Sequence, residues 1–140
     1  MTYKRADDTV KTYAVKPVGI MFSEFYFYLI GIMADNAKPF PTTFRIDRIV
    51  TFTATGQTFE VPYSEKFSEA EFRKRVQFMY GGELRMVRFL YRGGLEAVLD
   101  RLPTAVIEKQ SAEGVVIHAE AYGNGIDIWL KSQGDKVQIL

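Results

Sequence analysis

Over its first half the chain never sustains the three-to-four-residue apolar spacing that a helix needs. Apolar and β-branched residues instead come in short runs, separated by turn residues about every ten positions. "TYAVKP" (12–17) alternates, with Tyr13, Val15 and Pro17 on one face, and Pro17 and Gly19 are expected to end it. "FYFYLIGIM" (25–33) is aromatic and β-branched, which predicts a strand buried on much of both faces. "ADNAKPFP" (34–41) breaks the chain with Asp-Asn and two prolines. "TFRIDRI" (43–49) alternates again, placing Phe44 and Ile46 inward and Arg45 and Asp47 outward. "VTFTAT" extends it until Gly56-Gln57 turns the chain. Short strands at this spacing predict a small barrel or strongly bent sheet, with residues 25–32 as its core.

A helix signal follows in "FSEAEFRKRVQFMYGG" (67–82). Ser68 and Glu71 make a capping box, flanked by Phe67 and Phe72 as a hydrophobic staple. Phe72, Val76, Met79 and Tyr80 keep helical spacing until Gly81 stops the run. This predicts a connecting helix over 67–80. Beyond it, "ELRMVRFLY" predicts a strand, "LEAVLDRLP" a helix closed by Pro103, and "TAVIEKQ" and "GVVIHAEAY" two strands. "NGIDIWLKSQG" predicts a second helix with Gly134 at its end, and "KVQIL" a last strand. That order is βαββαβ, the ferredoxin-like arrangement. The fold class is therefore mainly β plus α+β: a barrel domain over 1–66, a connecting helix over 67–80 and a ferredoxin-like extension over 81–140.

Composition narrows the function. Lys and Arg number 18 against 17 Asp and Glu, for a formal charge of +1, so any basic site must be a local patch. No cysteine is present, which removes disulfide and thiolate chemistry and fits a reducing compartment. The longest apolar run, 25–34, is about half a membrane span, and the N-terminus has no apolar signal core. These features point to a cytoplasmic protein. Catalytic motifs are missing: there is no GxSxG, no P-loop and no GxGxxG after a strand. The one histidine, His118, has no second histidine for a metal site and lies in a strand pattern. Neither enzyme chemistry, nor a cofactor, nor a metal is expected.

The run Phe27-Tyr28-Leu29, followed by Phe44-Arg45-Ile46-Asp47-Arg48-Ile49, resembles the WYL domain, whose name motif is Trp-Tyr-Leu. Upstream, "VKPVGIMF" is similar to the Val-x-Pro-x-Gly-Leu stretch of that family. Trp129, Leu130, Ser132 and Gly134 in "WLKSQG" resemble a motif of the C-terminal extension that often follows it. Phe27 stands where the family has tryptophan, and Thr42 where many members carry a further arginine. The resemblance implies an Sm-like or SH3-like barrel in a bacterial transcription regulator, sensing a nucleic-acid fragment, nucleotide or other anionic effector. It implies DNA contact only through a helix-turn-helix that these 140 residues do not contain. The implied ligand-binding residues are Arg45, Arg48, Lys16, Tyr26, Tyr28 and Thr42. An arginine fork suits phosphate, and an outward tyrosine suits a base. On residue chemistry alone, Arg45 and Arg48 flanking Asp47 also fit a plain surface ion pair. The alternative function is a protein-interaction module that forms a homodimer, with Tyr91, Tyr122 or Trp129 exposed at the interface.

Overall fold

The computed structural model describes all residues from Met1 to Leu140, and the chain divides into two units, Met1–Glu69 and Ala70–Leu140. No helix is long and apolar enough to cross a membrane.

The strands of the first unit are all antiparallel, with short 3-10 turns at Ile46–Arg48 and Tyr63–Glu65. Strands β1 (Thr2–Lys4), β2 (Val10–Thr12) and β6 (Ile49–Thr51) form one three-stranded sheet in the order β2-β1-β6. Strands β3 (Val15–Ser23), β4 (Tyr26–Met33) and β5 (Thr42–Arg45) form a second, in the order β3-β4-β5. The hydrogen bonding does not close into a barrel. The physical reason lies in "TFRIDRI", which is not one strand. After Arg45 the chain makes a 3-10 turn over Ile46–Arg48, and this turn carries it from the second sheet into the first. Ile46, expected inside, is therefore more than a third exposed. Pro17 and Gly19 do not end the second strand either. β3 runs through them with a bulge, because Pro17 lies on the outermost strand, where a missing N–H costs no ladder bond.

The aromatic segment is buried only in part. Ile30 is inaccessible and, with Met21 and Phe44, makes the buried core of this unit. At the other end of β4, Phe25 is 84% and Phe27 57% exposed, so the expected core begins only near Tyr28. The two sheets meet where Tyr3 and Tyr13 pack on Phe44, with ring centroids 5.2 and 5.4 Å away.

The second unit begins with helix α1 (Glu69–Arg75), five residues shorter at its C-terminus than the expected connector. Phe78 and Met79 adopt left-handed backbone (φ +53° and +56°), and the Tyr80 amide donates to the Gln77 carbonyl at 3.0 Å. This is the geometry of a tight hairpin turn. It replaces the last helical turn because Gln77 is buried, with its Nε2 donating to the Arg101 carbonyl at 3.2 Å.

Strand β7 (Leu84–Tyr91), helix α2 (Leu95–Arg101), strands β8 (Val106–Ser111) and β9 (Gly114–Tyr122), helix α3 (Gly125–Ser132) and strand β10 (Val137–Ile139) follow in the expected βαββαβ order. The sheet order is β10-β7-β9-β8, with every pair antiparallel. Alternation decides which side of the sheet is buried. Val87, Phe89 and Tyr91 on β7 face Ala119, Ile117 and Val115 on β9. They join Val98, Leu102, Ile126, Trp129 and Leu130 from the helices in one core. Tyr91 and Trp129 are thus core residues, not interface aromatics, and Tyr122 packs on Phe72 at 5.4 Å.

Candidate functional site

The register of β4 against β5 sorts the expected ligand residues onto faces. Tyr28 pairs with Arg45, and Gly31 with Thr42. Opposite residues share a face and adjacent ones alternate, so Tyr26, Tyr28 and Arg45 stand together while Thr42 lies on the other side. The Thr42 hydroxyl is buried there without a hydrogen-bond partner. Lys16 pairs with Ile32, four positions along β4 from Tyr28, or about 13 Å. Its Nζ lies 3.4 Å from Asn36 Oδ1, away from Arg45. Neither Lys16 nor Thr42 joins the cluster.

Arg45 is its centre. Its Nε and Nη2 donate to the two carboxylate oxygens of Asp47 at 3.0 and 2.6 Å, a bidentate fork. Its guanidinium carbon lies 3.5 Å from the centroid of the Tyr26 ring. Its backbone N–H donates to the Tyr3 hydroxyl at 3.0 Å. The 3-10 turn after β5 makes the fork possible by folding Asp47 back beside its neighbour two residues earlier. Beyond the fork, the Arg45 side chain keeps 24% of its surface exposed. Arg48 ends the same turn and adds positive potential at Asp47.

These contacts shift protonation. The hydrogen bonds from Arg45 hold the Asp47 carboxyl below its usual range, against a smaller desolvation effect. The same fork raises the Arg45 pKa further above neutrality. Burial raises the Tyr28 phenol, with Arg45 opposing it. Since the Asp47 pKa is lower folded than unfolded, the pair stabilises the fold fully above the ordinary carboxylate range, near pH 4. That stabilisation is lost as pH falls through the folded value. Thermal unfolding followed from neutral pH down to about pH 3 should therefore show a smaller acid-induced loss in Asp47→Asn than in wild type. Equal losses would mean that the pair adds nothing to the folded state.

Sequence reasoning reached Arg45, Tyr26 and Asp47 but missed Tyr3. No local pattern signals a contact that spans 42 positions.

A second polar cleft, about 400 Å³, lies in the Ala70–Leu140 unit between α1 and the open face of the sheet. Its charges are mutually satisfied. Arg75 reaches Glu71 at 2.7 Å and Glu120 at 3.0 Å, and Lys74 reaches Glu71 at 2.9 Å. At its end, His118 Nδ1 is 2.9 Å from Glu108, which also accepts from Arg88 at 2.8 Å. Arg88 first, then His118, hold the Glu108 carboxyl below its usual range.

Residues 1–54 match the family model of the WYL domain, a span that contains Phe27-Tyr28-Leu29 and the Arg45 turn. No curated protein matches the chain. Among solved structures, proteasome accessory factor B/C (PafBC) of Arthrobacter aurescens is similar at 17% identity and a TM-score of 0.43. The alignment covers 99% of this chain and 21% of that one, so the chain spans about a fifth of that protein's length.

Proposed function

We propose that the WYL domain of residues 1–54 is the sensing part of a regulatory module, and that it binds a short single-stranded nucleic acid or nucleotide at Arg45 and Tyr26. One observation carries this reading: a guanidinium carbon 3.5 Å from the centroid of a partly exposed tyrosine ring, aimed by its two-oxygen fork to Asp47 and with 24% of the arginine side chain exposed. A planar cation beside an aromatic face serves both a phosphate and a base. The module is read as a binding protein in a cytoplasmic setting, without catalysis of its own. In a full regulator, DNA contact would come from a helix-turn-helix outside these residues. The two three-stranded sheets, joined through the turn after Arg45, are read as the halves of an Sm-like barrel. A second reading, an interaction module, is favoured by Ile20, Phe25 and Phe27, all more than half exposed on a sheet and its hairpin.

Fluorescence anisotropy with labelled oligonucleotides at two salt concentrations tests the sensing role. Arg45→Ala is expected to weaken binding roughly 10- to 100-fold, the scale of a lost charge-assisted contact. It should also flatten the salt dependence, since one phosphate contact is gone. Arg45→Lys should rescue little, because the fork and the stack both need the planar group. A wild type that does not bind at tens of micromolar, about the non-specific range, or that binds no better than Arg45→Ala, would discard the reading.

A further inference from the structure

We infer that Tyr3 is the positioning residue of the Arg45 site: its hydroxyl, aimed by packed rings, fixes where the stretch from Arg45 to Arg48 stands and thereby how well Arg45 meets a phosphate. The inference rests on the effector reading and adds to it a residue that touches no effector.

Tyr3 holds both ends of the turn that carries the charged side chains. β1 is the central strand of its sheet, so Tyr3 pairs on one side with Lys11 and on the other with Ile49. Ile49 is the first residue after the 3-10 turn, and its N–H closes that turn on the Ile46 carbonyl. At the other end stands Arg45, whose backbone N–H donates to the Tyr3 hydroxyl at 3.0 Å. Backbone pairing at one end and a side-chain bond at the other thus bracket residues 45–49. Arg45, Asp47 and Arg48 all lie inside this bracket.

The hydroxyl can set a position because its ring is itself held. The ring meets Phe44 edge-on, at 5.2 Å and 80°, and Tyr13 at 6.4 Å and 71°. Phe44 is buried and directly precedes Arg45, so ring and hydroxyl grip adjacent residues of β5. β5 is outermost in its sheet, and along its outer side backbone groups have no ladder partner. Water could satisfy an N–H there almost as well, but a mobile water would not fix the end of the strand. The side-chain contacts of Arg45 do not supply this anchor. Asp47 lies two residues along the same turn, so the fork moves with the turn. Tyr26 opens β4 at the sheet surface and is 39% exposed. A binding constellation keeps its geometry only when the residues behind it are locked by packing, and Tyr3 meets that requirement here.

A double-mutant cycle is the test, read by fluorescence anisotropy with a fluorescein-labelled oligodeoxythymidylate of about 12 nucleotides, within the span of single-strand sites. Tyr3→Phe removes the hydroxyl and keeps the ring. It should weaken binding roughly three- to tenfold, the lower part of the range for coupled neighbours. With Arg45→Ala already in place, Tyr3→Phe should change affinity by less than about twofold, since it acts only through Arg45. The salt slope of Tyr3→Phe should stay that of wild type, because it makes no phosphate contact of its own. Tyr13→Phe, whose ring also packs on Phe44, is the control and should bind like wild type. Equal losses in both backgrounds would give Tyr3 a purely structural role and overturn the inference. A salt slope flattened as in Arg45→Ala would overturn it as well, by making Tyr3 a direct contact. So would a Tyr3→Phe that binds like wild type while Arg45→Ala does not, and that result would leave the effector reading standing. A wild type that fails to bind, or an Arg45→Ala that binds as well, would remove the effector reading and this inference with it. Should Tyr3→Phe fail to fold by circular dichroism, hydrogen exchange in wild type decides. The Arg45 amide should be protected both free and bound, and exchange as fast as in an open loop would overturn the inference.

Discussion

Truncating Phe89 to alanine is expected to lower the melting midpoint of the Ala70–Leu140 unit by on the order of 20 °C, or to leave it unfolded. Phe89 is inaccessible at the centre of β7, opposite Ile117 and within the core shared with both helices. Removing a buried phenyl ring costs about 3–5 kcal/mol, from lost transfer energy and the cavity left behind. A unit of this size holds only about 4–10 kcal/mol in total. The loss is therefore at least about three tenths of the stability. Trp129 is the only tryptophan and packs in the same core, so its emission reports this unit alone. A Trp129 melting curve within about 3 °C of wild type, well under 1 kcal/mol by the same scaling, would show that the β7–β9 core is not what holds the unit together.

Gly125→Ala is expected to destabilise the same unit by about 1–3 kcal/mol, the range for overpacking a close contact. Helix propensity argues the other way, since alanine in place of glycine in α3 gains up to about 1 kcal/mol. Sterics win because a Cβ at Gly125 would lie 2.0 Å from the Gln77 carbonyl oxygen, which is backbone and cannot rotate aside. Relief requires the 77–80 turn to move, and that movement breaks the Gln77 bond to Arg101, exposing or orphaning a buried amide. Gly94, before α2, is the control: nothing lies within 4 Å of its Cβ position. Gly94→Ala should stay within about 1 kcal/mol, the scale of a changed cap. If Gly125→Ala melts with or above Gly94→Ala in Trp129 emission, the close approach of α3 to the turn is not a packing constraint.

What residue order alone determined was whatever rests on local periodicity. The βαββαβ half was legible element by element because β7 and β9 alternate and each helix carries its own apolar stripe, from Leu95 to Leu102 and from Ile126 to Leu130. Thr42 could also have been separated from Arg45 by counting, since an odd spacing along a strand places two side chains on opposite faces. The exclusion of Lys16 needed the β3–β4 register, which no local pattern encodes. Tertiary structure decided the rest, and in each case by competition for the same residues. "TFRIDRI" has strand composition throughout, yet it must serve two sheets, so the chain turns at Ile46–Arg48 and brings Asp47 onto Arg45. Residues 76–80 keep helical spacing, but burying Gln77 against Arg101 and α3 ends the helix at Arg75. Tyr91 and Trp129 read as possible surface aromatics, and the sheet and helices enclosed them because their faces point into the one core available. Phe25 and Phe27 read as core, yet Phe25 falls in the turn between β3 and β4, and Phe27 packs on Phe22 of β3 while more than half of it stays exposed.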